Sequence, residues 1–465
     1  MFEKHIYIER RHKLKLAVGT GLIVLLGNEE SSMNYADNQY PFRQDSTFLY
    51  FFGIDRPGLI ALIDIDSDKE IIFGDDLTIE QMVWTGYQQP LAAQAESIGI
   101  NTVKTLDKLQ GIIDKASASN KKIHFLPPYR PEQVQRLIEL LGLTGTALPS
   151  LVSVQLIKAI IVQRSIKHTA EVAEIEKAVN TTIDMQLLAM GYAKEGISEA
   201  DIAGKIHGLA ISSGGNLSFP TILTVNGQIL HNHYSQNLLR NGQLVLCDCG
   251  AETDMHYAGD LTRTFPVGKS FSAIQKEIYE LVLNTIQAAA VLLKPGILYK
   301  EVHLFACEKL VEGLQQFGLM KGNIKEAVAE GAHALFFPCG LGHMMGLDTH
   351  DMENLGEQYV GYTDELKKST QFGLKSLRLG RALEEGFVLT VEPGLYFIPE
   401  LIDKWEAEKK FTRFINYDKL NPYKILGGFR LEDDYLITKN GCQLLGKQLL
   451  KSPDEIESFR GYPYT

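Results

Sequence analysis

Leu244-Val245-Leu246-Cys247-Asp248-Cys249-Gly250 has the character of an interior strand, with one carboxylate set in its middle. Three further segments repeat the combination: Tyr257-Ala258-Gly259-Asp260-Leu261-Thr262-Arg263-Thr264, Leu389-Thr390-Val391-Glu392-Pro393-Gly394 and Phe429-Arg430-Leu431-Glu432-Asp433-Asp434. A fifth, Gly340-Leu341-Gly342-His343-Met344-Met345-Gly346-Leu347-Asp348-Thr349-His350-Asp351, supplies two histidines in a glycine-rich setting. An ionised carboxylate in an apolar strand is very costly. Asp248, Glu392 and Glu432 must therefore be protonated, ion-paired or bound to a metal. Strand side chains alternate, so Cys247 and Cys249 face away from Asp248 and read as packed thiols. By the same period Arg430 shares the face of Glu432 and offsets part of its charge.

Outward from these strands, the order of elements repeats. Helices are expected at about 169–190 and behind the capping box Ser198-Glu199-Ala200-Asp201, followed by strands at 222–225, 244–249 and 261–267. A second helix pair begins at Ser272, with Gln275 three residues on, and at Tyr299, closing before Gly318. Ile274, Ile278, Leu281, Val282 and Thr285 mark the inner face of the first of these. Strands return at 387–391 and 428–437. Helix, helix, strands, twice over, predicts a pseudo-symmetric α/β sandwich with a cleft between its halves. Residues 1–162 form a separate N-terminal α/β domain. There, strands at 22–26, 59–63 and 70–73 alternate with helical stretches near 78–98 and 131–142, which points to a mostly parallel sheet. The polar stretch 163–168 opens the second domain, 163–465.

The 465 residues are 45% apolar and 22% charged, ordinary for a soluble globular protein with room for two to four domains. With 46 basic against 57 acidic side chains the net charge is −11, which argues against a nucleic-acid partner because phosphate binding needs a cationic face. No apolar run reaches the ~18 residues of a membrane span. Arg10-Arg11 before the apolar stretch 16–26 imitates an export signal. Glu3 and Glu9 spoil its basic region, however, and no small-residue cleavage site follows. Five cysteines without a regular framework read as reduced thiols in a cytoplasmic protein.

Two divalent cations balance the four carboxylates Asp248, Asp260, Glu392 and Glu432. Oxygen donors with a single imidazole favour Mn²⁺ or another hard-to-borderline ion over thiolate-held zinc. In order and content the series resembles the creatinase, methionine aminopeptidase and aminopeptidase P family, the pita-bread metallopeptidases, over essentially the whole chain. That resemblance implies a dinuclear site in which Asp260 and Glu432 bridge the metals, Asp248 holds one, and His343 with Glu392 holds the other. It also implies proton transfer by Glu392 and contacts to the scissile peptide from His350 and from an upstream histidine in Ile229-Leu230-His231-Asn232-His233-Tyr234. The His-Tyr pair favours His233 and the preceding Ile-Leu favours His231; His233 is taken. Arg430 is grouped with the substrate-binding residues.

The N-terminal stretch Ala36-Asp37-Asn38-Gln39-Tyr40-Pro41-Phe42-Arg43-Gln44-Asp45-Ser46, followed by Phe48 and Tyr50-Phe51-Phe52-Gly53, resembles the opening of bacterial aminopeptidase P. By that resemblance Asp37 and Trp84 reach a neighbouring subunit's active site in a homodimer or homotetramer, while Tyr40, Phe48, Tyr50, Phe51 and Phe52 also read as core aromatics. Three departures stand out. One extra residue lies between Asp248 and Asp260, near 253–255. Cys339 stands where relatives often place a histidine. The stretch 353–381, ending in Leu377-Arg378-Leu379-Gly380-Arg381, is long and reads as a surface insertion more readily than as a rim loop. The implied activity is removal of the first residue from peptides with proline second. Prolidase action on Xaa-Pro dipeptides is the alternative within that chemistry. A metal-free peptide-binding scaffold is the alternative outside it, although all five ligand positions are filled.

Overall fold

Residues 60–64 form the central strand of an N-terminal sheet in the computed structural model, which describes residues 1–461. The contacts divide the chain into two units, Met1–Arg164 with Asn354–Tyr359, and Ser165–Glu353 with the chain from Val360 onward. In the first unit five strands lie in the order Val103–Lys104, Lys69–Phe73, Ile60–Asp64, Leu22–Leu26, Ile123–His124. Ile60–Asp64 is antiparallel to both of its long neighbours, and only the short outer strands are parallel to theirs. The sheet is therefore mixed, not mostly parallel, because a tight turn between Asp64 and Lys69 folds the chain straight back. The helical stretch near 78–98 is two helices, Ile79–Thr85 and Leu91–Ser97, separated by a segment containing Gly86 and Pro90. Arg10 and Arg11 are buried on the helix Lys4–Val18. Arg11 pairs with Glu70 and donates to the carbonyls of Phe51 and Ile98. Phe48, Phe51 and Phe52 are fully buried, whereas Tyr40 is exposed.

The second unit follows the expected repeat. The helices Thr169–Tyr192 and Glu199–Ser212 precede the antiparallel strands Ile222–Thr224, Leu244–Cys249 and Leu261–Pro266. The helices Ala273–Val291 and Tyr299–Gln316 precede the strand pairs Val388–Val391 with Asp433–Thr438 and Gly394–Tyr396 with Gly428–Arg430. The capping boxes at Ser198 with Asp201 and Ser272 with Gln275 both close, and Gly318 takes the left-handed conformation after the helix ending at Gln316. Ile278, Val282 and Thr285 are buried as expected, but Ile274 and Leu281 are only half-buried. The buried face turns toward Tyr279 instead, whose ring packs on Phe271 and whose hydroxyl donates to the carbonyl of Lys451.

The strand expected at 428–437 breaks at Leu431-Glu432. There the chain leaves its own sheet, and the Glu432 amide donates to the carbonyl of Thr262 at 3.1 Å. The Thr264 hydroxyl both donates to the Arg430 carbonyl and accepts from the Arg430 amide, at 3.1 Å each, so the two halves are stitched along 262–264 and 430–432. Arg263 completes the seam. Fully buried, its guanidinium donates to the carbonyls of Thr262, Glu432 and Leu450 and pairs with Asp433 at 2.6 Å. Burial pushes the Asp433 carboxyl up, but Arg263 and Lys451 outweigh it and hold the group below its ordinary value. Replacing one member of a buried, hydrogen-bonded ion pair costs about 3–5 kcal/mol. Arg263→Met should therefore lower the unfolding free energy of the catalytic unit, from urea titration followed through the buried Trp405, by about 3–5 kcal/mol. A loss under about 1 kcal/mol, the ordinary worth of an exposed ion pair, would show that the seam is not held this way.

Candidate active site

The strands bring their carboxylates to one cavity of about 700 Å³ lined by Asp248, Asp260, His343, Glu392 and Glu432, with His231, His233, His350 and Arg378 on its walls. Asp248 sits on the strand Leu244–Cys249 opposite Thr262. Asp260 immediately precedes the strand Leu261–Pro266, and its amide donates to Asp434 Oδ2 at 3.1 Å. Glu392 follows the strand Val388–Val391, its amide donating to the Leu341 carbonyl at 2.7 Å. His343 is locked by Thr390, whose amide donates to the His343 carbonyl at 3.0 Å and whose hydroxyl accepts from the His343 amide at 3.2 Å. Only glycine fits before it, since a Cβ at Gly342 would meet the Thr390 carbonyl at 2.1 Å and the Tyr299 hydroxyl at 2.4 Å. Cys247 and Cys249 are fully buried on the other side of their strand, with Gln186 of the helix Thr169–Tyr192 donating to the Cys249 sulfur.

His343 Nδ1 donates to the Met344 carbonyl at 3.0 Å, which leaves the lone pair on Nε2. That nitrogen lies 3.4 Å from Asp260 Oδ2 and 3.9 Å from Glu392 Oε1. Ligand atoms of Asp260, His343 and Glu432 all lie within 4.8 Å of one another. Burial raises the pKa of Asp260, and Asp248, Asp434 and Glu392 raise it further. Burial likewise raises Glu432, followed by Asp260 and Glu392. Glu392 is raised by burial first, with His343 and Arg430 opposing. One oxygen of Asp248 and one of Asp260 are buried without a hydrogen-bond partner. A single imidazole with its second nitrogen tied to a carbonyl, facing orphaned carboxylate oxygens, fits divalent cations.

Arg430 is not a free substrate contact. Its guanidinium is spent on Asp248, the Tyr396 hydroxyl at 2.9 Å and the Thr262 hydroxyl at 3.2 Å, so it braces Asp248 from behind. Thr262 in turn donates to Glu432 Oε2 at 2.7 Å, which joins the two halves through one hydroxyl. Both candidate histidines, His231 and His233, line the cavity. His233 Nδ1 faces the Thr221 carbonyl at 3.2 Å, a contact inside its own loop. The pKa of His231 is lowered by partial burial and then by Arg430, against a raising effect of Asp248. The loop carrying both is anchored by fully buried Glu199, which accepts from the amides of Val225 and Ser235.

His350 packs edge-on against His343 with ring centroids 4.3 Å apart, and its Nδ1 lies 3.4 Å from Glu353, which Arg378 pairs with at 2.6 Å. Ser376 and Arg378 line the cavity, so the stretch 353–381 supplies part of its wall and is not merely a surface insertion. The extra residue near 253–255 is taken up in a turn where His256 adopts a positive φ of 65° and faces Glu252 at 3.0 Å. Cys339 lines the cavity near the Tyr396 hydroxyl. Asp37 and Trp84 belong to the first unit and both are exposed. The sequence reading assigned no role to Asp434, Thr262, Tyr299 or Glu199. Asp434 stood inside a quoted motif, but its bond to the Asp260 amide depends on a register that local sequence does not reveal.

Two like α/β halves around a buried, oxygen-rich donor set define a metal-dependent hydrolase of the pita-bread class. The chain belongs to metallopeptidase family M24, whose profile matches residues 171–439, while the profile of the aminopeptidase P N-terminal domain matches residues 7–124. It is 31% identical over 454 residues to a probable Xaa-Pro aminopeptidase of Fusarium vanettenii, covering 95% of this chain and 92% of that protein. It is 30% identical over 464 residues to the Xaa-Pro aminopeptidase of Escherichia coli, with 97% and 96% covered. It is also 28% identical over 447 residues to the Xaa-Pro dipeptidase of Homo sapiens, with 94% and 88% covered. Among solved structures, E. coli aminopeptidase P with the inhibitor Pro-Leu superposes with a TM-score of 0.80 at 26% identity, over 99% of this chain and 98% of that one. The relatives thus divide between Xaa-Pro aminopeptidases and Xaa-Pro dipeptidases.

A cation that binds the native carboxylate cluster and not the unfolded chain stabilises by mass action, about 2.7 kcal/mol at a hundred times its dissociation constant. Removing divalent ions with a chelator should lower the thermal midpoint by several degrees, and Mn²⁺ should restore it. Asp260→Asn should lose most of that response, and an unchanged midpoint in both proteins would contradict the reading of the cluster as a cation site.

Proposed function

We propose that this protein is a dinuclear metal aminopeptidase that removes the first residue from peptides with proline in the second position. The observation that carries the catalytic reading is the convergence of Asp248, Asp260, His343, Glu392 and Glu432 in one cavity with His350 and His231 on its wall. The preference for an aminopeptidase is supported by the match of residues 7–124 to the aminopeptidase P N-terminal domain and by the full-length likeness to the E. coli Xaa-Pro aminopeptidase. Two divalent ions, Mn²⁺ first among the candidates, would be held by Asp248, Asp260, His343, Glu392 and Glu432. Such ions lower the pKa of water and polarise a carbonyl.

The chain's own groups do the rest. Glu392, its carboxyl raised by burial, is suited to take the proton of the attacking water and return it to the departing proline nitrogen. Burial, and then His343, lower the pKa of His350 at rest. Glu353 behind it favours the imidazolium as negative charge grows on the former carbonyl oxygen, and His231 approaches the same region. Arg430 fixes Asp248 and takes no proton. Proline, with a fixed ring and no N–H, is recognised as a shape and not through strand pairing.

The same reading includes a homo-oligomer and a cytoplasmic setting. Ile79, Val83, Trp84 and Tyr87 are exposed on or beside one short helix, as a subunit contact would require, and all five cysteines are free thiols. A second reading, the dipeptidase, is favoured by Arg378, since a cation on the cavity wall suits the terminal carboxylate of an Xaa-Pro dipeptide. Against it, that guanidinium is already paired with Glu353.

His350→Ala should lower kcat by about 10²–10⁴ with metal content near that of the parent. His231→Ala should do the same, and His233→Ala should cost less than tenfold. A larger loss at His233 than at His231 would reverse the assignment. At equal concentration with Mn²⁺ present, Ala-Pro-Ala-Ala should lose its first alanine at least as fast as Ala-Pro is split. Rapid cleavage of Ala-Pro with the tetrapeptide left intact would establish the dipeptidase instead.

A further inference from the structure

The helix Tyr299–Gln316 carries His303 and Cys307 one turn apart on its buried face, and the short turn of helix Ala332–Leu335 presents His333 to them. One ligand atom from each of the three lies within 4.8 Å of the other two. None of these residues lines the catalytic cavity. His303 and Cys307 are 0% exposed and His333 is 3% exposed, among apolar neighbours such as Phe337, whose ring packs on His303.

The cluster is poorly satisfied as ordinary core. His303 Nδ1 and both ring nitrogens of His333 are buried without a hydrogen-bond partner. The Val328 carbonyl lies near enough to raise the basicity of His333 slightly, but no hydrogen bond of good geometry closes. Buried polar atoms are nearly always paired, and three orphans at one spot call for a ligand or a trapped solvent molecule. The contact that does exist has coordination spacing: Cys307 Sγ lies 3.5 Å from His303 Nε2. Metal–sulfur and metal–nitrogen bonds of about 2.3 and 2.05 Å, set at a tetrahedral angle, place those two atoms about 3.6 Å apart. Burial holds both imidazoles neutral, with His303 lowered to about 3 and His333 to about 4, so their lone pairs are available.

We propose that His303, Cys307 and His333 form a second metal site, apart from the catalytic cavity, that takes one thiophilic d¹⁰ cation, Zn²⁺ or Cu⁺. The donor chemistry separates the two sites. Carboxylates dominate the catalytic set and suit Mn²⁺, whereas a thiol with two imidazoles suits soft or borderline ions. On binding, the Cys307 thiol loses its proton to solvent and the thiolate cancels part or all of the incoming charge. All three groups are enclosed, so the ion reaches them through local opening of this half of the unit, and its binding energy adds to stability.

The test is a titration of the reduced full-length protein, first equilibrated with Mn²⁺, using Co²⁺ as a probe and Zn²⁺ or Cu⁺ as displacing ions. Thiolate-bound Co²⁺ gives an ultraviolet sulfur-to-metal charge-transfer band that oxygen and imidazole donors cannot produce. The band should saturate at one ion per chain and vanish on addition of Zn²⁺ or Cu⁺. Cys307→Ser should abolish the band and lower thiophilic-ion stoichiometry by one, with peptidase activity unchanged, while Cys339→Ser should keep the band. Should the serine variant fail to fold, His333→Gln provides the second reading, with Co²⁺ binding weakened at least tenfold. Absence of the band in the parent, its survival in Cys307→Ser, its loss in Cys339→Ser, or unchanged affinity in His333→Gln would each overturn the proposal.

Discussion

Carboxyl groups that repel one another in a desolvated pocket are the constraint to which the catalytic unit answers. Asp260, Glu392 and Glu432 are pushed toward protonation by burial, then Asp260 by Asp248 and Glu432 by Asp260. Arg430, itself buried and held by Tyr396 and Thr262, is one counter-charge and pairs with Asp248. A lone guanidinium cannot neutralise four carboxylates, so the cluster is costly as a bare protein feature and sensible as a cation cage.

The seam between the halves exists to hold that cage in register. Asp248 and Asp260 come from the first half, and Glu392 and Glu432 from the second. Their separation is fixed by backbone bonds from Glu432 to Thr262 and by the exchange between Thr264 and Arg430. Arg263 supports the same seam from the reverse side of the strand, where its alternation from Thr262 places it. One strand pair thus presents Thr262 to the metal-ligand face and Arg263 to the structural face. The fold and the site are specified by the same three or four residues.

Much of this was legible in the sequence, for physical reasons. Polar residues set in apolar strands at matching places of a repeated helix–helix–strand order could only be tolerated by converging. Capping boxes at Ser198 and Ser272 marked helix starts directly. What sequence hid was long-range. The break at Leu431-Glu432 arises because Glu432 bonds across to the other half, and the role of Arg430 as a brace follows from the reach of Tyr396 and Asp248. The choice between His231 and His233 rested on neighbouring letters, and the fold brings both rings to the cavity. In the first unit, alternation of strands and helices suggested parallel pairing, and a tight turn after Asp64 made the central strands antiparallel.

The most direct measurement is an anomalous-difference map from crystals of the protein equilibrated with Mn²⁺. The account predicts two peaks in the cavity, about 3.5–4 Å apart as in two-metal sites, with carboxylate oxygens of Asp260 and Glu432 between them and His343 Nε2 against one. A map with no peak in that cavity, at a Mn²⁺ concentration that supports full peptidase activity, would contradict it.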